Sequence, residues 1–316
     1  CNAFSFSINN NTMIPIKPIL ALARKEADLI GATTGEERGF CEYYAAELFK
    51  GDGLIVELGS WMGSLTRHLL YGLEQNSFVP AERKKKVIQT YDLFLWEPHM
   101  DEWVKGTQHE GKLQVGSNFC DYFSKFHGKW ASYFDAITAD LGNYQWDGRP
   151  IEHLVNDAAK SASIAQNIST QFLPSVILGG LVSHQDFLWA TASFIQLHMF
   201  LLRDSFKMVL DVPDACMVVF EKTAEVTPAR LATLPADRKD YALDLITETF
   251  AWSRLLLPDT DPRFIDLGEA CILEQAGHIE EGKRIVRDQN LLKDLKPGRY
   301  KFMTGTVRNW GYKVLD

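Results

Sequence analysis

Residues 55–66 read IVELGSWMGSLT, an apolar run that ends in a carboxylate, Glu57, followed by Gly59-Ser60 and then Gly63. Glycines after an apolar strand let the backbone approach a ligand closely and feed the chain into the next helix. A pyrophosphate needs the spacing GxGxxG and a helix N-terminus clear of negative charge. Here the spacing is GxxxG, and the acid stands two residues ahead of the first glycine. That pattern repels a pyrophosphate and suits a small ligand carrying an ammonium group and a sulfonium. Two more clusters follow later apolar runs, Asn156-Asp157-Ala-Ala-Lys160 and His184-Gln185-Asp186-Phe187. Two carboxylates and the Gln185 amide oxygen suit a hard cation such as magnesium, which takes one or two carboxylates plus waters and substrate oxygens. Such a cation would stabilise an ionised hydroxyl, and a lysine beside it would be depressed far enough to accept a proton. His184 is the other candidate base, because an imidazole titrates near neutrality. Strand alternation sends His184 and Gln185 to opposite sides, so only one of them points squarely into a pocket. His99, His109, His127, His153 and His198 show no ligand spacing and read as structural or exposed.

The elements that must position these groups alternate between short apolar runs and longer amphipathic ones. Strands are expected at Leu54–Leu58, Val87–Tyr91, Phe134–Thr138, Ile151–Asn156, Gly180–His184, Phe206–Asp211 and Cys216–Lys222. Helices are expected between them at Ser64–Gln75, Ala162–Phe172 and Leu188–Arg203. Strand and helix in alternation indicate an α/β architecture, a doubly wound, mostly parallel sheet with helices on both faces. The last two strands are joined only by Val212-Pro213-Asp214-Ala215, which forces an antiparallel hairpin at the edge. Residues 1–50 read as an irregular arm, a short helix over Ile19–Leu29, and a second helix from the capping-box spacing Thr34-Gly-Glu-Glu37 to about Lys50. Residues 51–223 form the core. Within it, 93–133 is too long for a simple connection and folds over something as a lid-like insertion. Its aromatics, from Trp96 to Trp130, read as a small core of their own. From 224 to 316 the strand signal disappears and amphipathic helix takes over, as a cap, a dimerisation arm or part of a repeat architecture.

The balance of 33 basic against 41 acidic residues gives a net charge of −8 in a chain of 316, which excludes nucleic acid and an anionic membrane surface as natural partners. No stretch approaches the roughly 20 apolar residues that a membrane span requires. Five scattered cysteines, odd in number and without a CxxC pair, indicate reduced thiols, a cytoplasmic setting and no zinc site. A chain that opens on Cys1 with no visible signal segment reads as a trimmed sequence.

S-adenosylmethionine carries both the ammonium and the sulfonium that the Glu57 pattern suits, and ELGSWMGSLT resembles the ELGxxxGxS form of class I S-adenosylmethionine-dependent methyltransferases. The likeness is to catechol-type and macrolide-sugar-type metal-dependent O-methyltransferases, and it extends in order over roughly Glu37 to Lys222. It implies a Rossmann-like seven-stranded core ending in a reversed hairpin, flanked by a helical N-terminal segment and a helical C-terminal extension. It also implies that Glu57, Gly59, Ser60 and Gly63 hold the methionine end of the cofactor, that Asp92 in TYDLF holds the ribose, and that Asp140 lies near the adenine. In the metal-dependent members an Asp-x-x-Lys and an Asp-Asn pair supply a magnesium triad and a lysine base. Asp157 and Lys160 match that spacing, whereas Gln185-Asp186 departs from acid-then-amide, so the implied metal set is Asp157, Gln185 and Asp186 with Lys160 as base. If no metal binds, His184 takes that role. The expected reaction is O-methylation of a small molecule, a sugar or another diol-bearing metabolite, in a chain that could oligomerise through its C-terminal helices. The alternatives are a non-catalytic protein that keeps the cofactor fold and acts through those helices, or the same fold used for N-methylation or hydroxylation.

Overall fold

The computed structural model describes residues 14–23, 33–293, 295 and 298–315. Seven strands make one sheet: β1 (Leu54–Leu58), β2 (Ile88–Asp92), β3 (Phe134–Thr138), β4 (Ile151–Asn156), β5 (Val176–His184), β6 (Phe206–Asp211) and β7 (Val218–Lys222). Their order is β3-β2-β1-β4-β5-β7-β6, with β1 to β5 parallel and β7 antiparallel to both its neighbours. This is the doubly wound sheet with a reversed edge hairpin that the methyltransferase resemblance implies. Strands β1 and β4 are buried along nearly their whole length because helices cover both faces and leave no solvent side.

Helices α1 (Ile16–Leu22), α2 (Gly35–Tyr43), α3 (Ser64–Gln75) and α5 (Cys120–Phe126) lie on one face, with α4 (Met100–Trp103) between α3 and α5 in sequence. There Ile55, Ile88, Val155 and Val219 of the strands cluster with Ile19, Phe40, Leu69 and Phe123. Helices α6 (Ala162–Gln171) and α7 (Phe194–Leu201) lie on the other, where Val56, Leu58, Leu154, Val182 and Phe220 cluster with Ile168 and Leu197. Alternate strand residues supply the two clusters, as the period of two requires. The C-terminal helices α8 (Pro228–Leu231), α9 (Leu243–Leu256), α10 (Pro262–Gln275), α11 (Ile279–Asp288) and α12 (Arg299–Asn309) join this second cluster through Ile246, Phe250, Leu267, Val286 and Val307. Among the described residues, no helix is long and apolar enough to cross a membrane.

Several boundaries differ from expectation. The first helix runs Ile16–Leu22 and Ala23 turns extended, while residues 24–29 of the expected helix lie outside the described residues. The Thr34–Glu37 capping box forms, but the helix it starts passes into a π turn at Tyr44–Leu48 instead of continuing regularly. Strand β5 begins four residues early, across Gly179 and Gly180. Gly179 takes φ 78 where the register with β4 slips, so these glycines mark a bulge inside the strand and not its start. Helix α7 is shorter than expected, since Ala190–Ala192 form a separate 3-10 turn ahead of it. The insertion packs on its own aromatics: the rings of Phe94 and Phe119 are 5.3 Å apart and those of Trp96 and Phe119 5.6 Å apart.

Candidate active site

The strand order reverses between β1 and β4, and open parallel sheets bind ligands outside the carboxyl ends of strands at that switch. The ladder holds those ends level: Gly59 N–H donates to Tyr91 O at 2.8 Å, Asp157 N–H to Leu58 O at 2.8 Å, and Gln185 N–H to Asn156 O at 3.0 Å. The sequence clusters that follow β1, β2, β4 and β5 are thereby brought to one edge.

The turn after β1 has three left-handed residues, Gly59 (φ 83), Trp61 (φ 42) and Gly63 (φ 79). A Cβ at Gly59 would sit 2.8 Å from the Asp157 carbonyl, so only glycine lets this turn lie against the end of β4. Asp92 fastens the turn from the other side: its Oδ2 accepts from Trp61 N–H at 2.8 Å and its Oδ1 from Phe94 N–H at 2.9 Å. Burial raises the Asp92 carboxyl, and these backbone donors and Lys160 draw it back. Among the described residues, Ser60 Oγ and Trp61 Nε1 are buried with no hydrogen-bond partner, two polar atoms left for a ligand. This cradle fits the cofactor that the resemblance implies. Trp61 also meets the exposed Trp103 of α4 edge-on at 5.5 Å, so the insertion reaches the rim of the turn.

Glu57 shares a strand face with α3 and is 1% exposed. Its Oε2 accepts from the Thr66 hydroxyl at 2.5 Å. Burial pushes its carboxyl up to about 7 against the pull of the Thr66 and Thr90 hydroxyls, and Asp92 adds to the rise. Asp140 caps its own turn, accepting from Gly142 N–H at 2.9 Å and from Asn143 Nδ2 at 3.0 Å.

Asp157, Lys160, Gln185 and Asp186 meet as one cluster. Lys160 Nζ donates to Asp157 Oδ1 at 2.6 Å and also to Asp186 Oδ2. In the orientation that satisfies the network, the Gln185 amide nitrogen donates to Asp157 Oδ1 at 2.8 Å and Asp186 Oδ1 at 2.9 Å. Three of the four carboxylate oxygens are thus taken by N–H donors. Lys160 Nζ stands between the two carboxylates, in the place where the implied magnesium set would hold its cation. Among the described residues, no three His, Cys, Asp or Glu side chains are grouped to hold a metal ion. The expected depression of Lys160 is also reversed. Burial alone would lower it, but Asp157 and Asp186 outweigh burial and hold the ammonium above its ordinary range, so it is a poor base. Asp157 is pushed up to about 7 by burial, with Lys160 pulling it down and Asp186 raising it.

His184 lies apart from that cluster in its contacts. It falls on the α6–α7 face with Asn156, whose Nδ2 is 3.1 Å from its Nδ1, and packs on Phe187 and Phe220. Burial, with His198 nearby, draws it down to about 3, which makes it a weak base, and its ring contacts lie with Asn156, Phe187 and Phe220 and not with Lys160. His127, read from sequence as structural or exposed, is fully buried against the glycine turn: its Nε2 is 3.3 Å from Met62 O, and a Cβ at Gly63 would come within 2.2 Å of it. Thr33 Oγ1 lies 2.6 Å from Ser64 Oγ, so the chain ahead of α2 covers the start of α3. Neither contact has a sequence signal, since both join residues far apart in the chain.

No known family model matches this sequence, and no curated protein matches it. Among solved structures, it is similar to the O-methyltransferase NovP (15% identity, TM-score 0.43, covering 60% of this chain and 78% of that one). It is also similar to CalS11, a calicheamicin methyltransferase (13% identity, TM-score 0.40, 58% and 76%), and to an rRNA methylase from Streptococcus thermophilus (13% identity, TM-score 0.36, 59% and 96%). At these identities and scores the likenesses say nothing about what this chain acts on.

Proposed function

We propose that this chain binds S-adenosylmethionine at the β1–β4 switch point and methylates a hydroxyl of a small molecule. The observation that carries the reading is the glycine turn laid against the ends of β2 and β4, with Ser60 Oγ and Trp61 Nε1 buried and unpartnered beside it. In this reading the turn from Gly59 to Gly63 receives the methionine end, Asp92 the ribose and the region of Asp140 the adenine. Glu57 acts from beneath the turn, through Thr66, because it is buried there. When bound, the cofactor supplies a methyl group already activated on a sulfonium.

The protein then has to align an acceptor, keep water out and remove a proton. The cluster at the ends of β4 and β5 serves the last task. Lys160, tied to both carboxylates, uses its ammonium to orient the acceptor oxygen. Asp157 takes the hydroxyl proton, since its carboxyl is pushed up to about 7. The negative net charge supports a small acceptor over nucleic acid.

Calorimetry with S-adenosylhomocysteine tests the reading. Binding is expected in the parent and weakened more than about tenfold, or by about 1.4 kcal/mol, in Asp92→Ala. A folded parent that binds none would overturn it.

A further inference from the structure

Two carboxylates brought side by side at strand ends repel each other unless something positive lies between them. In metal enzymes that something is a divalent ion, which can hold more than one substrate oxygen as a ligand. In this protein the place is filled from within the chain. Lys160 stands three residues after Asp157 and reaches both Asp157 and Asp186, while the Gln185 amide donates to each carboxylate from the far side. An acid followed by an amide would offer the second strand end as two oxygen ligands. The order Gln185-Asp186 instead keeps the acid for the lysine and leaves the amide beside both carboxylates.

We propose that Lys160 is the resident cation of this site, replacing a divalent ion, and that the acceptor is therefore recognised through a single hydroxyl and not through a chelating pair of oxygens. The Asp157 and Asp186 side chains are 20% and 10% exposed, against 53% for Lys160, so Lys160 is the most exposed side chain of the three, with its ammonium tied to both carboxylates. An ammonium donates to one oxygen and leaves the neighbouring carboxylate to take its proton. It cannot hold two oxygens at fixed metal–ligand distances. The acceptor thus needs only one reactive hydroxyl, and a vicinal diol is not required. The acceptor part of this inference rests on the proposed methyl transfer, but the identity of the cation does not.

Manganese titration followed by electron paramagnetic resonance separates the two. The intact parent is expected to take up no manganese at concentrations where Lys160→Met, which leaves the carboxylate pair uncompensated, binds the ion at least about tenfold more tightly. Lys160→Arg, which keeps the charge, is expected to behave like the parent. Stoichiometric uptake by the parent, or a folded Lys160→Met that takes up none, would overturn the proposal. If Lys160→Met does not fold, the parent decides alone: no uptake, together with S-adenosylhomocysteine binding unchanged by chelator, supports the proposal, and uptake refutes it. Failure of S-adenosylhomocysteine to bind at all would sink the methyltransferase reading and leave the manganese result standing. With active enzyme, mono-hydroxyl acceptors are expected to turn over in chelator as well as diols do, and transfer confined to diols would count against the acceptor class.

Discussion

A carboxylate at position 57 is costly where it stands, and the cost depends on pH. The ordinary Glu value of 4.5 rises to about 7 in the fold, chiefly through burial. Between those two values the folded chain keeps a proton that the unfolded chain has lost. Stability from this group is therefore highest at the acid end of the window and declines as pH rises to about 7. Glu57→Gln leaves an acceptor for the Thr66 hydroxyl and removes the ionisation. It should stabilise the protein by at most roughly 3 kcal/mol above pH 7, with the gain vanishing below about pH 4.5. Urea unfolding of both proteins across that range checks this, and a gap that does not widen with pH would contradict it. At this scale the sequence was informative about which residues gather and less so about what each does. Asp157, Lys160, Gln185 and Asp186 are legible because each follows a strand end, and strand ends share an edge. That Lys160 is held charged was not legible, because it depends on a contact with Asp186 across two strands. His184 was legible only as one of two alternatives. The register that pairs Asn156 with His184 turns both side chains onto the α6–α7 face.

At the level of elements, the turn between β1 and α3 is held by the insertion as much as by its own glycines. Gly63 has φ 79, and α5 delivers His127 directly against it. Gly63→Ala should therefore suffer twice, from left-handed strain of about 1–2 kcal/mol and from collision with the imidazole. Adding His127→Ala should recover the collision and not the strain, so the two substitutions should be non-additive by about 0.5 kcal/mol or more in denaturant unfolding. Strict additivity would mean that the two elements do not touch. Most strand positions were readable, because short apolar runs and Gly or Pro punctuation set them. Readings failed where glycine did something other than stop a strand, as in the bulge at Gly179–Gly180. They also failed where tertiary packing overrode helical periodicity, as at the π turn Tyr44–Leu48. The insertion's contact with Gly63 had no local signature at all.

For the whole molecule, the C-terminal helices are structural partners of the sheet. Ile246, Phe250, Leu267, Ile272, Met303 and Val307 are buried in the same cluster as Leu154, Val182 and Phe220. Each such side chain is worth about 1.5–3 kcal/mol of burial, so losing six removes roughly 10 kcal/mol or more, comparable to the whole stability of a typical domain. A fragment ending at residue 223 should be insoluble or should lack a cooperative melt, and a soluble fragment that melts cooperatively would refute this. The helical character of that region was legible in its amphipathic pattern, while its attachment to one sheet face was not, since pattern alone names no partner. Shared packing of this kind also sets a timetable for synthesis. Strand β5 leaves the ribosome long before Val314 and Leu315, which are buried in the same cluster. At ~5–20 residues per second the wait is roughly ten seconds, during which the α6–α7 side of the sheet lacks the C-terminal helices that complete its cover. The nascent chain in that interval is a natural client for a chaperone that shields apolar surface, and slowing translation between β5 and α12 should lower the yield of soluble protein more than the same delay placed ahead of β1.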